Sequence, residues 1–264
     1  MTKRCCLLLC LLVFQACVDQ PEPKLRPEAA QQLLKLRGYE FDEKSFHNAA
    51  RAGDVTAIVA FLDAGINVNA QDKSDEGRTA LISAAARGDL EVVNVLVMHG
   101  ADVNVRDNKG FTALFHAIEA RYDEVANLLL NHPKLDPNAR GLNGVTALIS
   151  YTWRERRDAV QKLLDRGADV NAQDNDGDSA MHGAAQTGNV EILDMLLEKG
   201  GNAELKNKQG GTPLMWAAVF GNEAAARRLL ASGANPRVKD AEGNTALDWA
   251  IRNKRERVVR LLKK

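Results

Sequence analysis

Beyond Cys17 the chain contains no cysteine: all four are Cys5, Cys6, Cys10 and Cys17. A disulfide framework and a thiolate metal site are thereby excluded from the remainder. Aromatic residues make up only 5%, which suits helices packed through small side chains rather than one large core. Charge of one sign is missing too, with 35 basic residues against 35 acidic ones. That balance lacks the basic excess of a nucleic-acid surface. The one clear apolar run near the start, Cys5–Phe14, is ten residues long and too short to span a bilayer.

Catalytic and ligand motifs are absent as well. The five histidines, His47, His99, His116, His132 and His182, include no i, i+4 pair that would present two imidazoles to a metal. Asp72, Asp102, Asp107, Asp169, Asp174 and Asp240 lack the dense alternating oxygens and bidentate glutamate of a calcium loop. They recur in phase with the turns and are turn residues. The glycine pairs Gly200-Gly201 and Gly210-Gly211 are not followed by the Lys-Ser/Thr of a phosphate loop. No serine sits in a G-x-S-x-G elbow. The chain is expected to be no enzyme, to need no cofactor and to hold no metal.

What is present begins with Lys3 and Arg4 ahead of the apolar run, the layout of a signal peptide at 1–16. Its exit, Phe14-Gln15-Ala16-Cys17, resembles a bacterial lipobox, with Phe14 where leucine is usual. The resemblance implies cleavage before Cys17, lipidation of that residue, and a lipid anchor to the bacterial envelope facing the periplasm. Val18, not aspartate, at the next position favours the outer membrane over the inner. A buried N-terminal helix or a short membrane anchor is the alternative. Pro21, Pro23 and Pro27 make 17–27 an extended tether. Residues 28–43 carry a helical pattern, Ala29, Leu33, Leu34 and Leu36, expected to form an N-terminal capping helix.

From residue 44 onward one unit repeats. Thr79, Thr112, Thr146, Ser179, Thr212 and Thr245 stand 33 residues apart at every step but one, which is 34; a fixed period of this size marks a stacked array. In the most regular copy Thr79 can cap a short helix carrying Leu81, Ala84 and Ala85. Gly88 stops it, and Val92, Val93, Leu96 and Val97 stripe a second helix that ends at Gly100. An Asn/Asp/Gly-rich loop comes next. Two short helices cannot bury their apolar faces alone, so the units must stack.

The pieces GGTPLMWAA (Gly210–Ala218), SAMHGAA (Ser179–Ala185) and GADVN (Gly100–Asn104 and Gly167–Asn171) resemble the signature of the ankyrin repeat. The resemblance implies an all-α solenoid of about six to seven repeats, with projecting hairpin loops, over 44–264. Its units are 44–77, 78–110, 111–144, 145–177, 178–210 and 211–243, with a capping half-repeat at 244–264. It also implies that His182 stabilises the start of its own helix. Departures collect in the middle: Arg121 and Glu155 replace the inter-helix glycine, as Lys254 does later, and Tyr151 fills a position that is usually alanine.

By the same resemblance, a partner protein binds the concave face made by the loop tips and the exposed end of each first helix. The residues falling there include Arg78, Lys109, Phe111, Glu119, Trp153, Arg154 and Phe220, of which the aromatics and Arg154 are the types that dominate interface energy. An inter-repeat plug is the other role open to each aromatic. Trp216 and Trp249 are expected in the core, and His116 at the surface. The basic C-terminal stretch Arg252–Lys264 reads as a cap with a solvated face, a membrane-surface role being the alternative. The expected function is a monomeric scaffold binding one protein partner and no nucleic acid. An immunity-type inhibitor of a toxin or hydrolase reaching the periplasm is the second reading.

Overall fold

A computed structural model describes residues 24–263. The signal peptide, Cys17 and most of the tether therefore lie outside the described residues. Helix α1 (Pro27–Leu36) comes first. Seven helix pairs succeed it: α2 (Glu43–Ala52) with α3 (Val55–Asp63), α4 (Ala80–Arg87) with α5 (Leu90–Met98), α6 (Ala113–Ala120) with α7 (Asp123–Asn131), and α8 (Ala147–Trp153) with α9 (Arg157–Asp165). The last three are α10 (Ala180–Thr187) with α11 (Val190–Glu198), α12 (Pro213–Phe220) with α13 (Glu223–Ala231), and α14 (Ala246–Arg252) with α15 (Glu256–Leu262). The C-terminal stretch 244–263 thus contains both helices of a unit, with Val258 of α15 fully buried.

Local chemistry places each first helix. The Thr79 hydroxyl accepts the Ile82 N–H at 3.2 Å, and Thr146 accepts that of Ile149 at 3.3 Å. Loss of such a cap costs about 0.5–2 kcal/mol. The cap at Ser179 is built differently. Its N–H donates to His182 Nδ1 at 3.2 Å, while His182 Nε2 donates to the Gly211 carbonyl of the next unit at 3.1 Å. Burial holds this imidazole neutral, with its pKa pushed down to about 4. The helix-stabilising role implied for His182 is therefore present, with a link between units added.

First helices stack on first helices to form an inner row, and second helices form an outer row. α1 occupies the outer row ahead of α3, burying Ala30 and Leu34 beside a cluster in which Tyr39, Phe41 and Phe46 surround Phe61. Leu96, Leu129, Leu163, Leu196 and Leu229, one from each outer helix between α5 and α13, are all fully buried. Each contributes about 1.5–3 kcal/mol of apolar burial. The inner helices meet through a column of small residues, Ala49, Ala84, Ala117, Ala184, Ala217 and Ala250, also fully buried. Tyr151 breaks this column; it is buried, and burial raises its phenol pKa.

The loops form two ladders. In the lower one Asn69, Asn104, Asn138 and Asn171 accept, in that order, the backbone N–H groups of Asp102, Asp136, Asp169 and Asn202 in the next loop, at 2.7–2.8 Å. In the upper one the hairpin tips are rooted by Asx side chains: Asp107, Asp174, Asn207 and Asp240 each accept two tip amides. That is a turn role for the loop aspartates, and among the described residues no acid or histidine cluster could hold a metal ion. One tip pairs as a two-residue ribbon, β1 (Gln71–Asp72) with β2 (Arg78–Thr79). Successive tips are joined by a backbone rung, donated by Asn108 to Glu76, Asn175 to Asn143, Lys208 to Asp176 and Ala241 to Gln209 at 2.7–2.9 Å.

Candidate functional site

One step of the stack departs from this pattern. Between the third unit (α6, α7) and the fourth (α8, α9) the inner helices pack far more sparsely than at any other inner step, while the outer helices pack as elsewhere. The rung is missing here as well. Its donor would be the Leu142 N–H and its acceptor the Lys109 carbonyl, and neither bonds any described group. The outer side stays closed, since Asn138 Oδ1 takes the Asp169 N–H at 2.7 Å and Arg166 donates to the His132 carbonyl. The third and fourth units are therefore wedged apart on the inner side alone.

Sequence departures account for the wedge. Tyr151 brings a large ring to the alanine column, and Ile118 replaces the alanine found at Ala85, Ala185 and Ala218 in the neighbouring column. Gly141 stands where the other hairpins place their Asx root. Without that carboxylate or amide, the tip Leu142–Gly144 closes as a short 3-10 turn, with Asn143 at φ 54°. The Phe115 ring packs into the vacated space; a Cβ on Gly141 would lie 2.8 Å from Phe115 Cδ1. Strain flanks the wedge on both sides, because Arg121 (φ 62°) and Glu155 (φ 54°) adopt the left-handed conformation that glycine takes in other units. That conformation costs a residue with a Cβ about 1–2 kcal/mol.

The wedge is a cleft of about 380 Å³ lined by Phe111, Phe115, Glu119, Leu142, Asn143, Val145, Ser150, Trp153 and Arg154. This volume lies in the range of small ligand pockets and suits one or two side chains. Four of the expected contact residues, Phe111, Glu119, Trp153 and Arg154, are thus brought together. Trp153 is 38% exposed and rests on the next unit, where a Cβ on Gly183 would meet its Cδ1 at 2.1 Å. It is both an inter-repeat plug and a wall of the cleft. Arg154 donates to Glu119 Oε1 at 3.0 Å, and Arg156 pairs with Asp123 at 2.8 Å. These two half-exposed bridges clamp the helix-turn end of the seam at about 0–1 kcal/mol each.

The remaining candidates lie elsewhere. Arg78 and Lys109 both pair with Glu76, Arg78 within the first hairpin and Lys109 from the second. Phe220, 44% exposed, leans on Trp216 with ring centroids 6.2 Å apart, two units beyond the cleft. Three expectations need correction. Trp216 and Trp249 are half-buried against the core, not inside it; the fourth position of an inner helix reaches the hairpin root of its own unit, as His116 does to Asp107 and Trp249 to Asp240. Trp249 Nε1 donates to Asp240 at 2.6 Å. His116 is not a plain surface contact; its Nε2 lies 2.8 Å from Asp107 Oδ2 and its ring stands 5.3 Å from that of Phe111. Although burial opposes it, the bonds from His116 and the Phe111 and Lys109 amides hold the Asp107 carboxyl below its usual range. Sequence reasoning missed Phe115, Leu142 and Gly141. The available signal was Gly141-Leu142 itself, an unanchored apolar tip where every other hairpin begins with Asx.

The comparisons with known proteins agree with this architecture. A family profile described as Ankyrin repeats (3 copies) matches residues 46–141, 148–240 and 181–264. The chain is 33% identical over 157 residues to an ankyrin repeat-containing protein of Treponema pallidum (strain Nichols), covering 59% of this chain and 52% of that protein. It is 34% identical over 146 residues to Neurogenic locus notch homolog protein 1 of Xenopus laevis, covering 54% of this chain and 6% of that one. At most it spans about half the length of the curated relatives named here. Among solved structures, the ankyrin repeat domain of Bcl-3, described as a unique member of the IkappaB protein family, superposes with a TM-score of 0.68 at 29% identity over 83% of this chain and 97% of that one. An ankyrin repeat domain from Acinetobacter baumannii AYE gives 0.63 at 27% identity, over 69% of this chain and 95% of that one.

Proposed function

The chain belongs to the ankyrin-repeat family, and from that premise we propose that it is a non-enzymatic scaffold holding a partner protein against its inner-helix face. Ankyrin repeats are protein–protein interaction modules in general. The observation that carries the reading is the cleft between the third and fourth units, where Phe111, Trp153 and Arg154 converge. Aromatic and arginine anchors in a concave, desolvated setting are where interface energy concentrates. A stiff stack orders little on binding, so little of that energy is lost to conformational entropy.

The scaffold works as a monomer, anchored by lipid on Cys17 in the bacterial envelope and facing the periplasm, at the outer membrane rather than the inner. Support for the anchor is the short apolar run ending in Ala16-Cys17. The decisive experiment is affinity capture from membranes with wild type and the Trp153→Ala/Phe220→Ala double variant. Loss of the partner from the variant is expected; equal recovery would sink the inner-face reading. Anchoring is read separately: Cys17→Ala should leave the membrane fraction, and retention there would refute the lipid.

A further inference from the structure

The seam offers more than apolar walls. At every hairpin step with a rung, one tip donates an N–H to the preceding tip's carbonyl. At the third-to-fourth step the same donor, Leu142 N–H, and the same acceptor, Lys109 C=O, are both present and both unbonded among the described residues. Leu142 lines the cleft and Lys109 stands two residues before Phe111 of its opposite wall; Phe111 and Phe115 come from one unit and Val145 and Trp153 from the other. Leu142 itself is 57% exposed at the rim.

The geometry points to an extended peptide segment of the partner inserting at this seam, its backbone replacing the missing rung and one bulky apolar side chain filling the cleft. This rests on the reading that the inner face binds a protein. An extended backbone presents N–H and C=O groups on both edges and so bridges a donor and an acceptor at once, as in strand addition. A helix does not fit, because its backbone groups are already bonded within it. The cleft of about 380 Å³ takes a side chain or two and no folded element. The pattern is therefore main-chain affinity with side-chain selectivity, at a step where the array has left its own rung unmade.

The test uses the full chain, with a displayed library of random linear peptides as the probe. Selected peptides should share one bulky apolar residue, and their binding should be lost in Trp153→Ala. Leu142→Pro removes the N–H and should weaken binding about tenfold, the scale of one well-placed hydrogen bond. Leu142→Ala keeps the N–H and should stay within about threefold, as a surface truncation does. The proline variant keeps every hydrogen bond of the fold, since this N–H bonds no described group, and Gly141 before it is already extended at φ −96°. Unchanged thermal melting verifies that. Amide exchange at Leu142, fast in the free chain, should slow when peptide is bound.

Equal binding by Leu142→Pro, with no slowing at that amide, would overturn the rung. Peptides that depend on Phe220 and ignore Trp153 would overturn the site while leaving the inner-face reading standing. Ligands indifferent to both residues would remove that reading too. Self-association abolished by Leu142→Pro would replace the partner peptide with a second copy of this chain.

Discussion

The step from the fifth unit to the sixth and the step from the third to the fourth are built from the same repeating sequence, and they behave oppositely. At the regular step Ala184 and Ala217 let α10 and α12 approach closely. Lys208 donates the rung to Asp176, and His182 ties its helix to Gly211. At the irregular step Tyr151 holds the inner helices apart, the rung is absent, and ion pairs at the turn end are left to close the gap. In a one-dimensional stack each unit contacts only its neighbours, so one poor step does not propagate. Regular steps supply stiffness, and the irregular step supplies a cleft.

The largest expected effect sets the two regions apart by stability. Leu196→Ala removes a fully buried outer-row leucine and should cost about 2–5 kcal/mol, measured by urea unfolding. Leu142→Ala, at the cleft rim, should change stability by less than about 0.5 kcal/mol. Similar values for the two would erase the distinction.

Acid should sharpen the comparison by inverting it. His182 sits in the regular block with its pKa held down to about 4 by burial, below its unfolded value of 6.5. A depressed histidine gives stability that is fully present above the unfolded pKa and is lost as pH falls from about 6.5 towards 4. Over that window the loss is on the order of 3 kcal/mol. Hydrogen exchange should show α10 and α12 opening first as the pH is lowered. In His182→Asn this slope should flatten; an unchanged slope would assign it to another group.

The smallest effect concerns the flanks of the cleft. Arg121→Gly relieves a left-handed backbone (φ 62°) but frees the unfolded chain, so a net gain of about 0.5–1 kcal/mol is expected. Gly88→Ala, at the equivalent place beside a regular step, should go the other way, because its Cβ would come within 2.5 Å of the Tyr122 ring. Thermal melting of both variants checks the signs. A destabilised Arg121→Gly would mean that Arg121 contributes a contact worth more than its strain.

Much of the fold was legible in the chain. The phased threonines announced the caps, and the leucines and alanines announced which faces meet, because helix capping and periodicity are local properties. Arg121, Glu155 and Tyr151 marked the irregular middle. The companions of those residues were harder to see. Phe115 reads as an ordinary core position, and only the space left by Gly141 brings its ring to the cleft wall. Trp216 and Trp249 look like core by type, yet their place on the inner helices leaves them half-buried.

From order along the chain alone came the period, the helix pairs, the turn role of the loop aspartates and the absence of catalytic motifs. Caps, turns and helix stripes are local within a unit, and the period is that local pattern recurring along the chain. The Arg154–Glu119 bridge, the unbonded Leu142 and Lys109 groups and the seating of Trp153 on Gly183 were decided by tertiary structure. Each joins residues about one repeat apart, and its geometry depends on the spacing between units. That spacing is set by the bulk of Tyr151 against its neighbours, a packing outcome that no residue specifies by itself.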